Sequence, residues 1–208
     1  MITKSDIDIY DSSKMFDVLA GFGGQIREAY EIGKSLAPGN ELQGISNIIV
    51  TGLGGSAIGG DLLRSYLQNE IKVPFHINRN YFLPEFADDK TLVIASSYSG
   101  ETEETLSAYD EAVKKGCKIV CISSGGKLSV MAANSGHFLI TVPKGFQPRC
   151  ALAFSFFPLL MLLGKLGLVK ERDSGILNLI EFINTKKEIY TEINSPLNIA
   201  ISNAEHIR

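Results

Sequence analysis

The sequence contains no tryptophan, and only three of its 208 residues are cysteines. Its first residues, MITKSDIDIYDSSK, lack the apolar core of a secretory signal peptide. The cysteines, Cys117, Cys121 and Cys150, form no CxxC pair, and an odd number of cysteines without a signal peptide is typical of a reducing compartment. We therefore expect a cytoplasmic protein whose three thiols fill its core.

The chain also lacks an excess of positive charge, since 20 lysines and arginines stand against 23 aspartates and glutamates. A protein that binds nucleic acid or an anionic membrane needs a basic surface, so we expect neither partner. The most apolar stretch, residues 150–164, is short for a bilayer span and contains Pro158. We interpret it as a helix that is buried in the protein or at a subunit interface, and we expect a homodimer.

Five short apolar runs alternate with segments of helical periodicity. The runs comprise residues 47–52, 73–78, 91–99, 118–124 and 137–143. Because each run is continuously apolar, both faces of each predicted strand should be buried, as in a parallel sheet with helices on both sides. The pattern predicts an α/β fold, with a five-stranded, mainly parallel sheet flanked by helices in a Rossmann-like three-layer sandwich.

Helical extensions are predicted at both ends of this sheet domain. The expected boundaries are 1–45 for the N-terminal extension, 46–168 for the sheet domain and 169–208 for a C-terminal helical connector. Ser195 followed by Pro196 predicts the N-cap and the first residue of the last helix. That helix reaches Arg208 without a capping residue, which predicts a connector that leads toward a further domain.

Three predicted loops that follow strands are rich in glycine, serine and threonine, and each leads into a predicted helix. They comprise residues 52–61, 96–105 and 123–127. In a parallel α/β sheet, ligands bind beyond the carboxyl ends of the strands. Glycines let backbone amides approach an anion, a helix N-terminus adds a favourable dipole, and hydroxyls donate further hydrogen bonds. The hydroxyls of Ser97, Ser99 and Thr102 are therefore predicted to form a phosphate-binding cluster.

Two alternatives remain open from the residues alone. Serine and threonine often cap helices, so the loops can be purely structural. The pattern GxxxxGK[ST] is absent, but Gly52, Gly54 and Ala57 fit the dinucleotide pattern G-x-G-x-x-A. The second predicted strand ends at Asn78 without the carboxylate that binds an NAD ribose, whereas Arg79 could take the 2′-phosphate of NADP. An NADP-binding Rossmann module is thus an alternative interpretation.

Four motifs, in chain order, favour a different interpretation. They read GLGGSAIGGD, SYSGETEET, ISSGGKL and VPKGFQPRCALAFSFFPLL. Together they resemble the sugar isomerase (SIS) domain of the bifunctional phosphoglucose/phosphomannose isomerases, over roughly residues 15–208. The resemblance implies a SIS-type fold and an isomerase that needs neither cofactor nor metal. Its substrates would be hexose 6-phosphates, with glucose 6-phosphate or mannose 6-phosphate converted to fructose 6-phosphate through a cis-enediolate.

The resemblance also implies residue roles. Six residues would contact the substrate: Gly54, Gly55, Ser56, Ser97, Ser99 and Thr102. The three hydroxyls of the second loop would hold the phosphate, and the two glycines and the serine of the first loop would lie beside the sugar. Arg149, in the GFQPR run, matches the family arginine that stabilises the enediolate, and its position after the fifth predicted strand puts this cation at the same sheet edge.

Proton transfer is the part of the reaction for which this sequence offers no candidate. Members of the family have two SIS domains, and the second one carries the catalytic glutamate, the ring-opening histidine and a lysine. We therefore expect this chain to be the phosphate-binding half and to be inactive alone. A non-enzymatic SIS module that senses a sugar phosphate and signals to a partner is the alternative from another class.

The acidic residues beside the second loop partly oppose an anion site. Glu101, Glu103 and Glu104 precede or begin the predicted helix, where carboxylates stabilise the positive end of the helix dipole from the solvent side. We expect them to point away from the ligand. The three histidines of the chain have no metal-ligand spacing, so no metal site is predicted.

Overall fold

The computed structural model describes residues 2–207. The chain forms two compact units. The larger, an α/β unit, comprises residues 28–172, and the smaller, a helical unit, comprises residues up to 27 together with those from 173 onward.

The sheet of the α/β unit has five strands within the described residues, and every pair of neighbours is parallel. The strands are β1 (Asn47–Thr51), β2 (Phe75–Asn78), β3 (Thr91–Ser96), β4 (Lys118–Ser123) and β5 (Phe138–Thr141). They are ordered β2-β1-β3-β4-β5 across the sheet. Every residue of β1 and β3 is buried, which explains why their sequences are continuously apolar. The predicted α/β class is confirmed.

Helices follow β1, β3, β4 and β5, whereas residues 79–90 join β2 to β3 without a helix. The helices are α1 (Lys4–Tyr10), α2 (Met15–Ala20), α3 (Phe22–Ser35), α4 (Gly54–Leu67), α5 (Glu103–Lys114), α6 (Gly126–Ser135), α7 (Leu152–Lys165), α8 (Asp173–Thr191) and α9 (Ile199–His206). Two single turns of 3-10 helix cover Asn40–Leu42 and Pro148–Cys150.

Two helical layers cover the two faces of the sheet. On one face, α5 and α6 pack on Ile49, Val93 and Cys121. On the other, Gly60 of α4 lies so close to the sheet that a side-chain carbon there would stand 2.9 Å from Val50 Cγ1. Helix α7 packs on α4 and is buried along most of its length, as expected for the apolar stretch. None of the helices within residues 2–207 is long and apolar enough to cross a membrane.

The three cysteines are buried, as predicted. Burial raises the pKa of Cys117 to about 11 and that of Cys121 to about 12. Both thiols therefore stay protonated at neutral pH and act as small apolar groups in the core.

The last helix begins later than the sequence predicts. Asn198, and not Ser195, is its N-cap, because the Asn198 side chain accepts a hydrogen bond from the Ile201 amide at 3.2 Å. The hydroxyl of Ser195 instead accepts from the amide of Leu197 at 3.2 Å, which closes a turn before the helix starts. The Ser-Pro signal thus marks a turn that precedes the helix.

Candidate functional site

Four segments of the α/β unit meet at the carboxyl edge of the parallel sheet. Residues 52–56 follow β1, residues 97–102 follow β3, residues 123–127 include the end of β4, and residues 142–149 follow β5. The N-termini of α4, α5 and α6 lie at this edge because each helix begins within a few residues of a strand end. An edge with several helix N-termini attracts anions.

The first segment enters its helix earlier than predicted. Gly54, Gly55 and Ser56 form the first turn of α4, and Gly54 adopts a φ of +51°, which favours glycine. A side-chain carbon on Gly55 would lie 2.6 Å from the carbonyl oxygen of Pro148 and 3.1 Å from the amide nitrogen of Arg149. The absence of a side chain at Gly55 therefore lets the segment that carries Arg149 pack against the start of α4.

The second segment contains the predicted hydroxyl cluster. The hydroxyls of Ser97 and Thr102 hydrogen-bond to each other at 2.9 Å, and Ser97 Oγ also accepts from the amide of Gly100 at 3.1 Å. Thr102 is the N-cap of α5 but makes no capping hydrogen bond. Ser97 is fully buried, whereas Ser99 is exposed and Thr102 partly so. Ser99 and Thr102 are thus the two hydroxyls that a ligand can reach, with Ser97 beneath them.

The third segment is as rich in serine, but its hydroxyls bond to the protein itself. Ser123 Oγ donates to the carbonyl of Gly125 at 2.7 Å, and Ser124 Oγ donates to the carbonyl of Tyr98 at 2.7 Å. Both serines are buried. These hydroxyls hold the turn and attach it to the second segment.

Glu101 has a different role from the one expected. Its carboxylate accepts a hydrogen bond from the amide of Lys127 at 2.9 Å and forms an ion pair with the Lys127 ammonium group at 3.3 Å. It therefore stabilises the N-terminus of the neighbouring helix α6 and not that of α5. The space comes from Gly126, where a side-chain carbon would lie 2.9 Å from the Glu101 carboxylate. Glu104 lies beside Tyr81, and the charge of Glu104 is the largest cause of the raised pKa of that phenol.

Two cations lie in the fourth segment. Arg149 is exposed and forms no ion pair with any described residue. Lys144 lies beside the third segment, since a side-chain carbon on Gly125 would stand 3.1 Å from the Lys144 nitrogen. Sequence reasoning selected Arg149 but missed Lys144, because its nearness to Gly125 depends on how the segment folds back.

A crevice opens between these segments. It is lined by Gly55, Ser56, Ser96, Tyr98, Ile122, Val142, Pro148, Ala151, Phe154 and Ser155. Two of the predicted substrate residues, Gly55 and Ser56, lie in its wall, and Arg149 follows the lining residue Pro148 in the chain. The crevice has a volume of about 10 Å³, room for about one water molecule, and Ser99, Thr102 and Arg149 do not line it. The groups that could hold an anion therefore lie on the open sheet edge around the crevice.

The structure does not leave Arg79 free for the 2′-phosphate that the NADP interpretation assigns to it. Arg79 forms an ion pair with Asp61 of α4, so its charge is already compensated. The first turn of α4, where a dinucleotide pyrophosphate would sit, is covered at Gly55 by Pro148. Among the described residues, no three histidine, cysteine, aspartate or glutamate side chains come together as metal ligands would.

Comparison with known proteins decides the family. The SIS domain family matches residues 41–166, which include all four segments of the site. The chain belongs to the SIS domain family. The resemblance stated from the four motifs is confirmed.

Two relatives are bifunctional phosphoglucose/phosphomannose isomerases. The one from Caldicellulosiruptor bescii is 48% identical over 187 residues, which is 89% of this chain and 55% of the relative. The one from Aquifex aeolicus is 40% identical over 152 residues, or 73% of this chain and 45% of the relative. This chain therefore spans about half the length of the curated relatives it matches. A solved structure of a hypothetical protein from Thermus thermophilus shares the fold, with a TM-score of 0.62 at 22% identity over 91% of this chain and 48% of that one.

Proposed function

We propose that this SIS chain forms the sugar-phosphate-binding half of an aldose-ketose isomerase that acts on hexose 6-phosphates. One observation carries the proposal. Thr102 is the N-cap residue of α5, but its hydroxyl is hydrogen-bonded to Ser97 and does not cap the first amides of the helix. With the exposed Ser99, this arrangement leaves two hydroxyls and a helix N-terminus available to a phosphate dianion. The names of the relatives support a hexose phosphate as the ligand.

The chemistry requires a cation and a base. Conversion of glucose 6-phosphate or mannose 6-phosphate to fructose 6-phosphate moves a proton between C1 and C2 through a cis-enediolate. Arg149, exposed and without an ion pair among the described residues, is the proposed group that stabilises the negative oxygen of that intermediate. Neither cofactor nor metal is needed for this step.

In the family that the four motifs resemble, the catalytic glutamate lies in a second SIS domain, and two carboxylates at this edge already have neighbours that hold them. Glu101 is paired with Lys127, and Glu104 lies beside the Tyr81 phenol, whose pKa its charge raises. We therefore propose that the base comes from outside these 208 residues and that the chain alone does not turn over substrate. In this proposal residues 46–168 bind the sugar phosphate, residues 169–208 connect to the part that carries the base, and the whole protein is a cytoplasmic homodimer.

Calorimetric titration of the 208-residue chain tests the proposal. The ligands are fructose 6-phosphate, glucose 6-phosphate, mannose 6-phosphate, fructose and NADP. We expect binding of the three sugar phosphates and none of fructose, because the phosphate supplies most of the polar contacts. Binding of NADP alone would restore the Rossmann interpretation, and binding of fructose as strong as that of fructose 6-phosphate would refute the phosphate site.

A further inference from the structure

Tyr98 lies between the two residues Ser97 and Ser99 of the proposed phosphate segment, but its side chain serves another part of the site. Its hydroxyl donates a hydrogen bond to the carbonyl of Pro143 at 2.8 Å and accepts one from the amide of Phe146 at 3.0 Å. Burial raises the pKa of Tyr98, so the phenol stays protonated and can donate at neutral pH. One hydroxyl thus holds both ends of a four-residue turn.

The backbone of Tyr98 contacts the other two segments. Its amide donates to Ser56 Oγ at 3.1 Å, and its carbonyl accepts from the amide of Ser124 at 3.0 Å and from the Ser124 hydroxyl at 2.7 Å. Tyr98 is therefore hydrogen-bonded to the first turn of α4, to the turn after β4 and to the segment after β5. All three neighbours of the phosphate segment are attached to this one residue.

The turn that Tyr98 holds leads directly to Arg149. The ring of Phe146 packs against the ring of Phe154 at a centroid distance of 5.4 Å. Further along the segment, the amide of Cys150 donates a hydrogen bond to the carbonyl of Gln147 at 2.8 Å. The next fixed point is the close contact between Gly55 and Pro148. The segment that carries Arg149 is therefore attached to the hydroxyl of Tyr98 on one side and to the start of α4 on the other, with the Phe146–Phe154 contact between them.

We infer that Tyr98 is a positioning residue, which places the Arg149 segment relative to the phosphate segment. The hydrogen bonds of Tyr98 are independent of the proposed function, whereas their effect on ligand binding rests on it. A phosphate on Ser99 and Thr102 and a charge on Arg149 must stand at a fixed separation to bind the two ends of one sugar. The residue that links the two segments through its side chain can set that separation, and phenylalanine, with the same ring and no hydroxyl, could not.

A double-mutant cycle on the 208-residue chain tests this inference. The variants are Tyr98→Phe, Arg149→Ala and the two combined. Tyr109→Phe is the matched control, because Tyr109 is a buried tyrosine of the same unit whose hydroxyl bonds to His137 at 2.7 Å, away from the four segments. The probes are arabinonate 5-phosphate, whose carboxylate imitates the charge of the enediolate, and inorganic phosphate, which has no sugar end.

We expect Tyr98→Phe to weaken arabinonate 5-phosphate about three- to tenfold and inorganic phosphate less than about twofold, because two neutral hydrogen bonds are lost at the cation segment only. The loss should vanish in the Arg149→Ala background, so the combined variant should bind like Arg149→Ala. Additive losses, or equal losses for both probes, would show that Tyr98 acts only in packing and would overturn the inference.

Hydrogen exchange supplies a readout that needs no ligand. Peptides that cover residues 143–149 should exchange about tenfold faster in Tyr98→Phe than in wild type and unchanged in Tyr109→Phe. Unchanged exchange in Tyr98→Phe would overturn the inference. If wild type bound neither probe, the proposed function would fail, and exchange alone would then decide whether Tyr98 fixes this segment.

Discussion

Two turns of the α/β unit have nearly the same composition and different properties. Residues 97–102 follow β3, and residues 123–127 run from the end of β4 into α6; each set contains two serines and at least one glycine and leads into a helix. In the first turn, Ser99 is exposed and Thr102 partly exposed. In the second, both serines are buried and bonded to backbone carbonyls.

The difference shows that a serine-rich turn at a helix N-terminus is not by itself a ligand site. What distinguishes the two turns is where the hydroxyl hydrogen bonds go. The hydroxyl of Ser124 already holds the carbonyl of Tyr98, so it contributes to the shape of the first turn and has no donor left for a ligand. The second turn thus supports the first, and four predictions test that division of roles.

The largest expected effect is a loss of stability when the close contact between the two turns is disturbed. Gly100 has a φ of +73°, and a side-chain carbon there would overlap the carbonyl oxygen of Gly125. Gly100→Ala should lower the free energy of unfolding by about 3 kcal/mol, since backbone strain and overpacking add. Gly116→Ala is the control, because Gly116 has a φ of +68° but no atom within 4 Å of the added carbon. Urea unfolding that gave equal losses for both variants would contradict close packing of the two turns.

The next effect is on affinity. Thr102→Val keeps the shape of the side chain but removes the hydroxyl, and a hydrogen bond to a charged group contributes about 1.5–3 kcal/mol. We expect the affinity for fructose 6-phosphate to fall about 10- to 100-fold by calorimetry. Thr105→Val is the control, because the Thr105 hydroxyl is buried and has no partner among the described residues. A similar loss of affinity in both variants would argue against Thr102 as a phosphate ligand.

A smaller effect is expected from Ser124, which should stabilise the first turn without binding phosphate itself. Ser124→Ala removes one of the two hydrogen bonds that the carbonyl of Tyr98 accepts from Ser124 and leaves the one from the Ser124 amide. We expect the free energy of unfolding to fall by about 1 kcal/mol, with the affinity for inorganic phosphate within about twofold of wild type. If phosphate affinity fell as far as in Thr102→Val, the second turn would have to be counted as part of the binding site.

The smallest effect concerns charge. Glu101 spans the two turns through Lys127, and its carboxylate repels a phosphate at the start of α5. Glu101→Gln keeps an oxygen that can accept from the Lys127 amide but removes the charge. Phosphate affinity should rise about two- to fivefold at low salt, and the gain should shrink at high salt because exposed charges are screened. Weaker binding in Glu101→Gln would mean that Glu101 organises the site.

Much of this architecture could be predicted because it depends on local patterns. Continuous apolar runs identified all five strands, and glycine and serine clusters identified the turns at the correct edge. Features that depend on distant partners could not be predicted. The side chain of Glu101 interacts with the next helix, and the phenol of Tyr98 reaches residues 143–146. Nothing in the SYSGET run distinguishes such contacts from an ordinary exposed tyrosine or glutamate.

The most direct test of the account is a titration of the ¹⁵N-labelled chain with inorganic phosphate, followed through backbone amide chemical shifts. We expect different chemical-shift changes at the two turns. Amides of residues 99–103, at the start of α5, should shift most, because the reachable hydroxyls and the uncapped helix end are there. Largest shifts at residues 124–128, or no shifts at either turn, would contradict the assignment of the phosphate site.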